Sequence, residues 1–250
     1  MTIKEIFPNA TVKQVAFEIR FPNLFYMEKN IGDLQVKIMK EFPQSALLLR
    51  RQFIFADIGP EGKIENLPDD LDKAAVKRIW QFKSDKNFEL NVLNDSLAIN
   101  SQYHKTYKLE GGEKFRDIIK FVLSSFFEVV SIPIIKRIGL RYIDECPIPS
   151  KDNKSFQLWY NSVFPLDRFN LADAEEMFFR TKGKKGDYYL SYVETLKKDK
   201  DEYKLILDFD GFAEDIKQKD YLAVTDKLHE IILAEYEDKI KEPVYSYMRK

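Results

Sequence analysis

Two aspartates one residue apart, in Leu207-Asp208-Phe209-Asp210, are the strongest candidates for chemistry in this 250-residue chain. In an extended strand both point to one side, about 7 Å apart, while Leu207 and Phe209 point to the other. Carboxylates so placed can grip a cation or divide acid and base roles. They can equally pair with arginines on neighbouring strands, and two arginines are spaced for that. Arg20 lies between Ile19 and Phe21, and Arg141 between Leu140 and Tyr142, each inside an alternating apolar run. A dyad with no third ligand and no glycine-rich approach is a weak catalytic signal. Arg–Asp bridging across a sheet is therefore the simpler expectation.

Other reactive groups are sparse. His104, His229 and Cys146 are the only histidines and cysteine, and no ligand spacing connects them. Zinc sites want three or four such ligands, so no metal is assigned, and the histidines are expected at the surface or at helix ends. Cys146 stands before Pro147 at the end of an apolar strand, with nothing nearby to depress a thiol pKa. No Gly-x-Ser-x-Gly elbow occurs. Gly183-Lys184-Lys185-Gly186 lacks the spacing and the Ser/Thr of a phosphate loop and reads as a solvated hairpin tip. No catalytic residue and no cofactor is assigned. The candidate binding set is Arg20, Arg141, Asp208 and Asp210.

The elements that must carry these residues follow from periodicity. Val15, Phe17, Ile19 and Phe21 alternate along a strand over 12–21, ended by Pro22. Ile31, Leu34 and Ile38 are spaced for a helix that stops near Pro43. Ala46–Phe55 reads as a second strand, and the Gly and Pro turns between Gly59 and Asp70 mark a loop. Val76–Phe82, Phe88–Leu93 and Leu97–Tyr103 then form a meander. A helical stripe from Phe115 to Val130 closes the first half as β-α-β4-α.

The second half echoes the first with one strand fewer. Its strands are 134–144, Met177–Thr181, Tyr188–Leu196 and Tyr203–Phe209, the last two joined by a turn at Lys198–Asp201. Phe156–Phe164 is expected to be helical in part. A last helix bearing Tyr221, Val224, Leu228, Ile231 and Ile232 is limited by Pro243. The expected fold class is α+β: duplicated β-α-β(3-4)-α units forming one long curved antiparallel sheet, backed by helices on one face. That is the layout of TATA-binding-protein-like folds. No Gly/Ser linker divides the chain, so residues 1–250 are read as one domain with an internal pseudo-repeat of 1–130 and 131–250.

Composition narrows the partners. Charged residues make up 32% of the chain, yet the net charge is −1, so no global basic field recruits nucleic acid. The polar strand faces mix Glu18, Asp208 and Asp210 with Arg20 and Arg141, which argues against a duplex-DNA saddle. A single cysteine excludes an internal disulfide and fits a reducing compartment. No apolar run is long enough for a membrane span, and no signal-peptide pattern opens the chain. A cytoplasmic protein without membrane contact is expected.

Three segments carry a resemblance: Val15-Ala16-Phe17-Glu18-Ile19-Arg20-Phe21-Pro22, Arg137-Ile138-Gly139-Leu140-Arg141-Tyr142-Ile143-Asp144, and Leu207-Asp208-Phe209-Asp210. In this order they resemble the TIGR04255 family, sporadically distributed prokaryotic proteins of about this length. The family usually has Asn where this chain has Asp144, and Ile240-Lys241-Glu242-Pro243 departs from the Thr-Asp-like ending expected of it. The resemblance implies a prokaryotic protein with one full-length domain, and transfers no catalytic residues. Sporadic distribution suggests, by analogy only, a defence- or toxin-antitoxin-associated role.

A large aromatic scaffold without a catalytic constellation points to a non-enzymatic binding protein that holds a protein partner or a small ligand. The alternatives are an enzyme using Asp208 and Asp210 with Arg20 or Arg141, and a single-stranded nucleic-acid binder using exposed aromatics on the sheet.

Overall fold

The structure, a computed structural model, describes residues 5–51, 76–199 and 202–250. The described strands are β1 (Val12–Arg20), β2 (Gln44–Arg51), β3 (Val76–Lys83), β4 (Phe88–Val92) and β5 (Ser96–Ser101), then β6 (Ile135–Cys146), β7 (Glu176–Lys185), β8 (Tyr188–Asp199) and β9 (Glu202–Ile216). The helices are α1 (Met27–Ile38), α2 (Phe115–Val129), α3 (Asn153–Trp159), α4 (Tyr221–Lys239) and α5 (Glu242–Met248). The strands form one sheet in the order β2-β3-β4-β5-β1-β6-β9-β8-β7. Every neighbouring pair is antiparallel. The expected combination of helices with one long antiparallel sheet is therefore present.

Alternation explains the sheet's two faces. Ile99, Phe17, Leu140 and Gly211 lie in register across β5, β1, β6 and β9, and Tyr142, Phe209 and Tyr192 form the next row. These side chains join the buried residues of α1, α2 and α4 in one hydrophobic cluster spanning both halves. Phe17, Ile19, Phe126 and Phe209 are each fully buried, and burying such a side chain is worth about 1.5–3 kcal/mol. Helix α4 lies close over β9. A Cβ on Gly211 would stand 3.2 Å from Ile232 Cδ1, so the glycine sets that distance. On the other face lie Glu18, Arg141, Asp208 and Asp210.

Three local expectations are corrected. Gly183-Lys184-Lys185 belongs to β7 and pairs with Leu190-Tyr189-Tyr188, so the turn is only Gly186-Asp187, with Gly186 at φ +64°. Alternation of burial along β7 ends at Arg180, and the residues from there through Lys185 are all exposed, as suits the end of an edge strand. Pro243 does more than limit the last long helix: α4 ends at Lys239, and Pro243 occupies the first turn of α5, where its missing N–H costs nothing. The expected strand at Ala46–Phe55 starts at Gln44. Its residues 52–55, the loop over 59–70, and Lys200-Asp201 of the expected turn lie outside the described residues. The partly helical stretch at Phe156 is α3, whose start is capped by the Asp152 carboxylate accepting from Ser155 N at 2.9 Å. Among the described residues, no helix is long and apolar enough to cross a membrane.

Candidate functional site

The four residues singled out from the sequence share the polar sheet face but do not form one cluster. Arg141 grips Asp208 with both ends of its guanidinium, Nε to Oδ1 at 2.7 Å and Nη2 to Oδ2 at 2.5 Å. Asp210 receives Arg137 instead, at 3.0 and 2.9 Å, and the same Arg137 reaches Glu18 at 2.9 Å. Arg20 closes the chain on Glu18 at 2.9 Å. Burial pushes the Asp210 carboxyl up, with Arg137 opposing it, and the bond to Asp208 raises the Arg141 pKa. Both oxygens of each aspartate are thus occupied by a guanidinium, the arrangement expected of structural bridging.

Arg137 crosses the sheet because Gly139 makes way for it. Gly139 pairs with Phe212 on β9, and a Cβ at Gly139 would sit 2.5 Å from Arg137 Nη1. The guanidinium lies 4.7 Å from the Phe212 ring centre, and Lys182 Nζ lies 4.8 Å from it. Phe212 also stacks on Tyr189 at 5.0 Å. This aromatic pair is therefore capped by cations rather than open to a base.

The histidines are corrected too: neither is a surface or helix-end residue. His104 is buried after β5, its Nδ1 2.7 Å from Ser101 Oγ. His229 lies mid-way along α4, stacked on Tyr107 at 4.2 Å between ring centres. Burial lowers both imidazoles to about 4, so both are neutral at pH 7. Among the described residues, no three His, Cys, Asp or Glu gather as metal ligands.

His229 leads to the feature that residue spacing did not reveal. Between β6 and α4 lies a cavity of about 420 Å³, walled by Ile6, Phe7, Val12, Leu109, Ile232 and Leu233. The segment before β1 and the loop from Lys105 to Leu109 form its other walls. That segment is tied down by Asn9 N donating to Met248 O at 3.0 Å and Glu145 N donating to Thr11 O at 2.9 Å. The loop is held by Arg116, which grips Asp226 at 2.7 and 2.8 Å while the Tyr107 hydroxyl donates to the same carboxylate at 2.8 Å.

Polar groups on the cavity wall are few and buried. Asp144 follows Leu140 and Tyr142 at two-residue steps on the core face of β6 and is only 2% exposed. Thr11 Oγ1 donates to its Oδ1 at 2.8 Å, which leaves the Thr11 oxygen to accept from Tyr236 Oη at 2.7 Å. Burial raises the Asp144 carboxyl to about 7, with the Thr11 bond and Lys105 opposing the shift. The Tyr142 hydroxyl and His229 Nδ1 are buried without a hydrogen-bond partner among the described residues. Exposed Glu5, Lys105, Lys108 and Glu230 mark the mouth, two of each sign.

Compared with protein-family models, curated proteins and solved structures, the chain matches none.

Proposed function

We propose that this protein is a non-enzymatic binding protein that holds a small, mostly apolar molecule between β6 and α4. The observation that carries this reading is the combination of one apolar cavity with a buried, singly bonded carboxyl at Asp144. Ligand pockets typically run from about 300 to 1,000 Å³, lined by apolar side chains with a few convergent polar groups. The cavity of about 420 Å³ has that character. An enzymatic role for Asp208 and Asp210 would need at least one free carboxylate, and both are held by arginines.

The scaffold supports a second, architectural element of the proposal: two fused copies of one unit in a TATA-binding-protein-like layout. Strands β1 and β6 meet at the middle of the sheet, each flanked by the last strand of its own half, β5 and β9. Glu18 pairs with Gly139. Arg20 and Arg141 each stand two residues beyond that pair, as a two-fold relation through it requires.

Titration with Nile red, a neutral apolar dye, tests the binding reading. Wild type should show saturable one-site binding. Leu233→Trp, which fills the cavity from α4, should weaken it at least tenfold without lowering the melting temperature. Arg141→Ala, on the opposite sheet face, should leave it unchanged. Equal dye binding by wild type and Leu233→Trp would overturn the assignment.

A further inference from the structure

We infer that the molecule held in this cavity is an apolar amine, its ammonium seated against the Asp144 carboxylate and its body along Ile232 and Leu233. The inference rests on the binding reading above and adds the chemical class of the ligand.

A desolvated carboxylate must be neutralised by a proton or by a cation, because an unpaired charge in an apolar wall is strongly disfavoured. An ionised carboxylate offers about four acceptor positions. Among the described residues Thr11 fills one of them and supplies no charge. The charged groups that act on Asp144 are Lys105, from the loop after β5, and Asp208 on β9. Lys105 gives one of its three N–H donors to Val12 O at 2.7 Å, and among the described residues no ion pair within 4.0 Å joins its ammonium to Asp144. Thr11 bonds to Asp144 as a neutral group, and the nearby Tyr236 hydroxyl and Cys146 thiol, both pushed up by burial and by Asp144, carry no charge either.

The rest of the wall favours the same ligand. Tyr142, only 8% exposed, keeps an unpartnered hydroxyl that can accept a hydrogen bond, and neutral His229 with its proton on Nε2 can accept at Nδ1. Tyr107, Tyr142 and Tyr236 line the same cavity. A carboxylate ligand would bring a second negative group beside Asp144, and a neutral one would leave the carboxyl dependent on its proton. The mouth, with Glu5 and Glu230 against Lys105 and Lys108, does not select for anions.

The test uses three matched probes, 4-phenylbutylamine, 4-phenylbutan-1-ol and 4-phenylbutanoate, titrated calorimetrically into the full chain at pH 7.5. The amine should bind at least tenfold more tightly than the alcohol and the acid. Asp144→Asn should cost the amine at least tenfold and leave the alcohol within a factor of two. Tyr142→Phe, which keeps the ring, should weaken the amine several-fold and serves if Asp144→Asn fails to fold. Amine affinity should fall by up to tenfold per pH unit below about 7, as Asp144 takes up the proton that the ammonium must displace. Tighter binding of the alcohol or the acid would overturn the amine assignment while leaving the cavity reading intact. No binding of any probe, together with no saturable Nile red binding, would overturn both.

Discussion

Thr11 donates its hydroxyl hydrogen to Asp144 across 2.8 Å, joining the segment before β1 to a strand 133 residues further along the chain. The bond is buried at both ends, so its loss leaves a carboxyl with no partner among the described residues. Thr11→Val keeps the shape and removes the donor. It should destabilise the fold by about 1–3 kcal/mol, the usual cost of a buried group left unsatisfied. Thr11→Ser should recover most of that. Urea denaturation of the three proteins checks it, and a valine variant as stable as wild type would show that the bond carries no weight.

The pH dependence of stability should separate Asp144 from the histidines. Asp144 goes from 3.8 to about 7 on folding, so its burial costs nothing below 3.8 and progressively more as pH rises toward 7. His104 and His229 go from 6.5 to about 4, so their contribution is full above 6.5 and is lost as pH falls toward 4. The two effects oppose each other in the wild type. Asp144→Asn removes only the first, so its stability relative to wild type should improve by up to about 1.4 kcal/mol per pH unit between pH 4 and 7. A difference that stays flat over that range would contradict the raised carboxyl.

The sheet was legible because alternation is a local signal: Phe17 and Ile19, or Leu205 and Leu207, announce a half-buried strand without help from the rest of the chain. Arg–Asp bridging on the polar face follows from the same parity, but parity alone does not distinguish Arg137, which holds Asp210, from Arg20, which bonds Glu18. The cavity was not legible in this way. It is assembled from residues near positions 6, 107, 144 and 233, whose closeness is a property of the fold. One trace did exist. Asp144 sits at a core-facing step after Leu140 and Tyr142, and an ionisable group at an apolar position is a functional signal. By its neighbours alone, Asp144 stands out only as an acid where the resembling family has Asn. The histidines misled because their few local neighbours say nothing about burial by distant elements.

Gly139 and Arg137 should behave as a coupled pair. Gly139→Ala places a methyl group 2.5 Å from the present position of Arg137 Nη1, and that guanidinium, not the backbone, must move. Its contacts with Glu18 and Asp210 weaken, at a cost of about 1 kcal/mol. In an Arg137→Ala background the same substitution should be nearly neutral. A double-mutant cycle by urea denaturation measures the coupling, and additive costs would show that Gly139 serves the strand rather than the arginine.

Asp226 should link the stability of the fold to the shape of the cavity. It receives Arg116 from α2 through both oxygens and the Tyr107 hydroxyl at 2.8 Å, while the Tyr107 ring stacks on His229 at 4.2 Å. Burial works to raise its pKa, but the bonds from Arg116 and Tyr107 outweigh it and hold the carboxyl below its ordinary value. This stability is therefore present above 3.8 and is lost as pH falls through the lowered folded value. Asp226→Ala leaves both donors without their acceptor and should cost about 1–3 kcal/mol. It also frees Tyr107 to swing from the cavity wall, so Nile red affinity should fall several-fold. Tyr107→Phe keeps the stacking ring and the Arg116–Asp226 pair, so it should cost less in both measurements. If Asp226→Ala lost stability but bound the dye as wild type does, the network would be a clamp between helices with no influence on the cavity.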